Sequence, residues 1–300
     1  RAEAARKGTA YMSVWMYVIR EFEDALDDCV EGRITDNDDP VHAWDEGVAF
    51  YAGSLEGPSG SDDGVMPYRL AEKRCQNFKT CGEKGDELTG TSYVNIELLR
   101  LFDQGQNDIL TGQCGEARKK KERIVELMTV PLIQGTLRYA YRSAALPTLD
   151  TEKGRAEGST FAAAVLPIVA KCSARDAERI YEEMKVGGGG ATEYDNVKYA
   201  FERNYKCMGI TCSQVGGLWD DGEQRYYDGA HPCKDSGDSN KLAIGLGIGL
   251  GGALLIAVVC LFVVCKRRSS ATATDHPMPS FGDTATEFSA GEDGKDKIIA

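Results

Sequence analysis

Apolar residues recur at helical spacing along most of the chain. Tyr11, Val14, Trp15, Val18, Phe22, Ala25, Leu26 and Cys29 form one stripe with a period near 3.6, which predicts an amphipathic helix. At roughly 100° per residue, Glu21, Asp24 and Asp28 cluster on one edge of that stripe. Asp39-Pro40 reads as a helix start, with Asp39 as N-cap and Pro40 at the first helical position. The helix continues through HAWDEGVAFYAGS, with Val41, Trp44, Val48, Tyr51 and Leu55 as its apolar side. Residues 57–90, rich in Gly, Pro, Ser and Asp and carrying two cysteines, predict a long disulfide-pinned loop.

Helical spacing returns in SYVNIELLRLFDQGQNDIL, in EARKKKERIVELM continuing past a kink at Pro131 into LIQGTLRYAYR, and in GSTFAAAVLPIVAKC. Ser173 with Asp176 and Thr192 with Asp195 are spaced as capping pairs, opening helices at 174–185 and 193–207. No alternating strand pattern of useful length occurs, so the fold class is mainly α. Glu46-Gly47 with Tyr51 and Gln134-Gly135 with Tyr139 match at equal offsets, a hint of two related helical halves.

The pattern changes at Leu242. From there to Cys265 no charge occurs over 24 residues, where roughly 20 suffice to cross a bilayer. Lys266, Arg267 and Arg268 follow and place the C-terminus on the cytoplasmic side, which makes the chain a single-pass type I protein of the plasma membrane. The organisation expected is an outer helical domain over 1–233, a stalk over 234–241, a membrane helix over 242–265 and a disordered cytoplasmic tail over 266–300. Gly247 and Gly251 stand at the spacing that lets two membrane helices approach, as in a homodimer. The chain begins at Arg1 without a leader, and a longer precursor is expected.

Outside the membrane lie Cys29, Cys75, Cys81, Cys114, Cys172, Cys207, Cys212 and Cys233, an even count that in an oxidising setting predicts up to four disulfides. Spacing leaves the connectivity open, with Cys75 and Cys81, and Cys207 and Cys212, as the local pairings that suggest themselves. Lys and Arg total 35 against 47 Asp and Glu, a net charge of −12. No basic surplus exists to neutralise phosphates, so nucleic acid is excluded as the expected partner and cations are favoured.

His42, Asp45 and Glu46 fall at i, i+3 and i+4 and project from one side of their helix. Carboxylates are hard oxygen donors, and with an imidazole they suit iron better than a thiophilic metal. Acids near a helix start also favour its dipole, and that plainer reading stands beside the first. Glu21 and Asp24 form a second acidic candidate one helix earlier. Tyr139 and Tyr141 bring phenols, which bind ferric iron once ionised, next to Arg138 and Arg142, whose guanidiniums can hold a small oxyanion in bidentate fashion. Tyr11 reads as a packing residue. No His-Glu-x-x-His, Gly-x-Ser-x-Gly or phosphate-cradling glycine motif is present, and the chain is not expected to be an enzyme.

The blocks VHAWDEGVAFYAGSLEG (41–57), YRLAEKRCQNFKTCG (68–82), MTVPLIQGTLRYAY (128–141), FAAAVLPIVAKC (161–172) and GITCSQVGGLW (209–219) resemble the low-iron-inducible iron-assimilation proteins of algae, which include the diatom phytotransferrins. The HAWDE block also looks like the His-x-x-Glu signature of imelysin-type helical proteins, with Asp45 at the acid position. The resemblance implies capture of Fe(III) at the cell surface with carbonate as partner anion. It implies roles for His42, Asp45 and Glu46 in one block and for Tyr139 and Tyr141 in the other. A ferric reductase or a permease is the implied partner. The rival expectation is a non-metal adhesion or receptor module whose HAWDE block packs the bundle.

Overall fold

The computed structural model describes residues 1–34, 40–53, 64–146, 148–187 and 192–235. The expected N-cap at Asp39, the membrane span with Gly247 and Gly251, the stalk from residue 236 and the tail lie outside these. Among the described residues no helix is long and apolar enough to cross a membrane.

The architecture is mainly helical, and the first element is longer than the apolar stripe alone indicates. Helix α1 (Ala2–Gly8) runs through a π-helical turn (Thr9–Val14) into α2 (Trp15–Val30). A π-turn inserts an extra residue into the helical register and often marks a functional position. Tyr11 lies buried within it and stacks on Phe161, with ring centroids 5.2 Å apart.

Helix α3 (Pro40–Ala52) opens on the expected proline. The predicted loop over 57–90 instead contains α4 (Pro67–Phe78). There Pro67 occupies the first helical position, and Leu70, Ala71, Cys75 and Phe78 are buried at helical spacing, diluted in sequence by charged neighbours. Lys79 ends the helix in the left-handed conformation.

Helices α5 (Tyr93–Leu110) and α6 (Cys114–Ala145) follow, and α6 continues as one helix through Pro131. Every residue from Leu127 to Leu137 is buried, the signature of a helix enclosed on all sides. Its polar groups are satisfied there. Thr129 and Thr136 donate back to Val125 O and Leu132 O, while Gln134 donates to Thr80 Oγ1 and Val215 O.

Helix α7 (Glu152–Cys172) starts at a Thr151 cap and packs on α6. Helix α8 (Ala174–Met184) is capped by Ser173, which accepts from the amide of Asp176 as its spacing predicts. Helix α9 (Tyr194–Glu202) differs from expectation at both ends. Thr192 does not cap it, because its hydroxyl donates to Glu183 O, and the helix stops five residues before Cys207. A one-turn α10 (Cys212–Val215) and a two-strand hairpin, β1 (Trp219–Asp220) with β2 (Arg225–Tyr226), complete the domain.

At three positions a helix glycine receives an aromatic ring of a neighbouring helix. A Cβ on Gly47 would come within 2.7 Å of the Phe22 ring, one on Gly135 within 2.8 Å of Phe161, and one on Gly105 would run into Trp44. Gly47 with Tyr51 and Gly135 with Tyr139 therefore repeat one device, a ring-receiving glycine followed four residues later by a buried tyrosine. The ring comes from the preceding helix in one case and the following helix in the other, so the two halves are not a simple tandem copy.

All eight described cysteines are paired: Cys29 with Cys114, Cys75 with Cys81, Cys172 with Cys207, and Cys212 with Cys233. The local pairing of Cys75 and Cys81 matches expectation, whereas that of Cys207 and Cys212 does not. Cys207 meets the end of α7, while Cys212 starts α10, where Asp235 Oδ1 accepts from its amide at 2.8 Å.

Candidate functional site

The first candidate set lies where α2 packs on α3. His42, Asp45 and Glu46 are exposed, and Trp44 between them is fully buried, tilted against Phe22 and donating to Phe102 O at 3.0 Å. The acids fan outward. Asp45 Oδ1 accepts from Gln106 of α5 at 2.6 Å, whereas Glu46 faces α2, where burial first and then the Glu46 charge push the Glu21 carboxyl above its ordinary value. Asp24 is paired with Arg20 at 2.7 Å. Among the described residues no group of three or more His, Cys, Asp or Glu is assembled to hold a metal ion. Sharing one side of a helix does not bring these side chains to one point.

The second candidate set is divided by the helix itself. Tyr139 and Tyr141, two positions apart on α6, are set about 200° round its axis. Tyr141 donates to Asp228 O at 3.2 Å and packs on Tyr194 and Tyr227. Tyr139 turns the other way, stacks on Phe161 and donates its phenol to Glu157 of α7. Arg138 and Arg142 both lie on the ring of Tyr139, at 5.4 and 5.7 Å from its centroid.

Around this pair the fold collects groups from four elements. Arg74 of α4 is 8% exposed, and its Nε and Nη1 are buried without a hydrogen-bond partner. Burial and the neighbouring Arg138 lower it to about 10, which leaves it a cation at neutral pH, while Tyr139, Tyr11 and Glu157 act in the opposite direction. Burial likewise lowers Arg138. Lys7 of α1 approaches Glu157 at 4.0 Å. Burial, then the hydrogen bond to Glu157, raises the phenol of Tyr139, so the free site holds it protonated. The centre thus gathers two phenols, one carboxylate and a surplus of cationic groups in surroundings poor in water. Guanidinium N–H groups are the donors that oxyanions accept from.

Sequence reasoning places Tyr139, Arg138 and Arg142 together but misses Arg74, Glu157, Tyr11 and Lys7. Arg74 lies in the segment read as loop, and Glu157 is one acid among many with no motif around it. The available signal is Gly158, whose missing Cβ leaves room for Tyr139 against α7. Comparison with protein families, with curated proteins and with solved structures finds no match to this chain.

Proposed function

We propose that this chain captures ferric iron outside the cell. In this reading Tyr139 and Glu157 supply hard oxygen donors, and Arg74 with Arg138 holds a carbonate-type oxyanion beside them. The observation that carries it is Arg74, buried with two unpartnered nitrogens next to a phenol hydrogen-bonded to a carboxylate. An unmet guanidinium is costly to bury, and a small dianion bound there both satisfies it and completes the oxygen set for a trivalent ion. The exposed His42, Asp45 and Glu46, with the half-buried Asp24 and the buried Glu21 behind them, then serve as an outer collecting surface for cations on a protein of net charge −12.

The apolar run 242–265 anchors this domain in the plasma membrane, with the tail in the cytoplasm. One helix is not a permeation path, so uptake requires internalisation or a permease, with a ferric reductase at the handover. Protons compete for phenolate, carboxylate and carbonate alike, so iron leaves as pH falls.

The second reading, an adhesion or receptor module without metal, is favoured by the buried Trp44 at the centre of the HAWDE block. A competitive Fe(III) titration of the iron-free chain, with and without bicarbonate, separates them. Tight bicarbonate-dependent binding supports capture, whereas no specific affinity supports the module.

A further inference from the structure

A crevice of about 450 Å³ lies between α8 and α9, within the size range of sites for small organic ligands. Arg175 and Arg179, four residues apart on one face of α8, line it together with Arg203, the residue that closes α9. These guanidiniums are reachable from solvent: Arg175 is exposed, Arg179 is half-buried, and the side chain of Arg203 is 54% exposed. Among the described residues the acid on this wall is Asp176, and it is engaged by Arg203 at 2.5 Å and Asn204 at 2.9 Å. Three cations against one carboxylate leave a local net charge of +2, on a chain whose net charge is −12.

The surrounding chain holds these groups in place. Arg179 donates to Asn196 Oδ1 at 3.2 Å, and Asn196 Nδ2 donates in turn to Glu183 at 2.7 Å, which fixes the amide. The Cys172–Cys207 disulfide joins the residue before the Ser173 cap to a position four residues beyond Arg203, so a covalent bond ties the two ends of the site. Arg175 makes no ion pair or side-chain hydrogen bond among the described residues, and its donors remain available.

We propose that this crevice binds a small organic phosphomonoester, its phosphate on Arg175, Arg179 and Arg203 and its organic body on the ring of Tyr199. The acceptor follows from the number of donors. A carboxylate offers two oxygens in one plane, and one guanidinium fork fills it. A phosphomonoester offers three oxygens and a charge of about −1.5 to −2, which matches cations supplied from two helices. The crevice has room beyond the phosphate, and Tyr199, 51% exposed on its wall, presents a ring to the rest of the ligand. Lys198 lies 5.3 Å from the centroid of that ring but is paired with Glu202 at 2.6 Å, so together they leave the charge balance unchanged. The site shares no residue with the proposed iron centre.

The test uses the iron-free 300-residue chain, so it stands whether or not iron binds. Phenyl phosphate, inorganic phosphate and benzoate are titrated by calorimetry at constant ionic strength. The expected result is saturable one-to-one binding of phenyl phosphate with Kd on the order of 1 mM or tighter. Benzoate, which keeps the ring but carries one charge on two oxygens, binds about tenfold more weakly, and inorganic phosphate several-fold more weakly. Arg175→Gln, at an exposed position without a partner, weakens phenyl phosphate about tenfold, and Tyr199→Ser removes its advantage over inorganic phosphate. Arg74→Met leaves its binding unchanged, which separates this crevice from the oxyanion position of the iron centre. Absence of saturable binding to the wild type overturns the proposal. So does undiminished binding in an Arg175→Gln variant that melts like the wild type, loss of binding in Arg74→Met, or benzoate or inorganic phosphate binding as tightly as phenyl phosphate.

Discussion

The phenol of Tyr139 donates to the carboxylate of Glu157, and both groups are buried where α6 meets α7. The contact joins helices separated by a turn, and it fixes the protonation of the free site, because burial and Glu157 both oppose ionisation of the phenol. A metal that binds phenolate must therefore expel a proton.

Iron affinity should then depend steeply on pH. Each proton released lowers the apparent affinity about tenfold per pH unit of acidification, and loss of bound carbonate adds to it. Competition titrations between neutral and endosomal pH check this. A flat profile is incompatible with phenolate coordination.

Gly105→Ala should destabilise the fold by about 2 kcal/mol, although alanine is the better helix former by about 1 kcal/mol. The added methyl meets the Trp44 ring, which is fully buried and anchored through its indole to Phe102 O. Denaturant unfolding measures the change. A neutral or stabilising substitution would show that the tryptophan yields.

Asp176 is buried and accepts from Arg203 at 2.5 Å and from Asn204 at 2.9 Å. The bond from Arg203 outweighs burial and holds its carboxyl below the ordinary value. A depressed carboxylate stabilises the fold above its unfolded pKa, near 3.9, and loses that contribution as pH falls through the lower folded value. Asp176→Ala should thus cost about 2 kcal/mol at neutral pH and progressively less below about pH 4, as followed by thermal melts across that range.

The Cys29–Cys114 bridge spans a sequence separation of 85 and ties the end of α2 to the start of α6. Closing so long a loop restricts the unfolded chain, and replacing both cysteines by serine should cost about 4 kcal/mol. The six-residue separation of Cys75 and Cys81 restricts it less, so the corresponding double variant should lose less. Equal losses measured by denaturant unfolding would mean that local packing, not loop closure, dominates.

Much of the helical frame was legible because one face of each helix carries its apolar residues at a constant period, as in Tyr11 to Cys29. Helix α4 was not, since Arg69, Glu72, Lys73 and Arg74 dilute its buried stripe and glycine-rich sequence precedes it. Periodicity shows which residues share a face of their own helix but not what lies opposite. That is why Tyr139 and Arg138 could be paired in sequence while Glu157 and Arg74, from other helices, could not. The same limit explains His42, Asp45 and Glu46, which share a side yet diverge toward α5 and α2. Disulfide partners are likewise set by tertiary approach, so only the pair within one local turn, Cys75 and Cys81, was readable from spacing.

The most direct test of ferric capture at Tyr139 is visible absorption on adding Fe(III) to the iron-free chain in bicarbonate, since a bound phenolate gives a charge-transfer band. The band should form in the wild type and in a His42→Ala, Asp45→Ala, Glu46→Ala triple variant, weaken in Arg74→Met, and vanish in Tyr139→Phe. Iron bound tightly without such a band, or a band that survives Tyr139→Phe, would contradict the account.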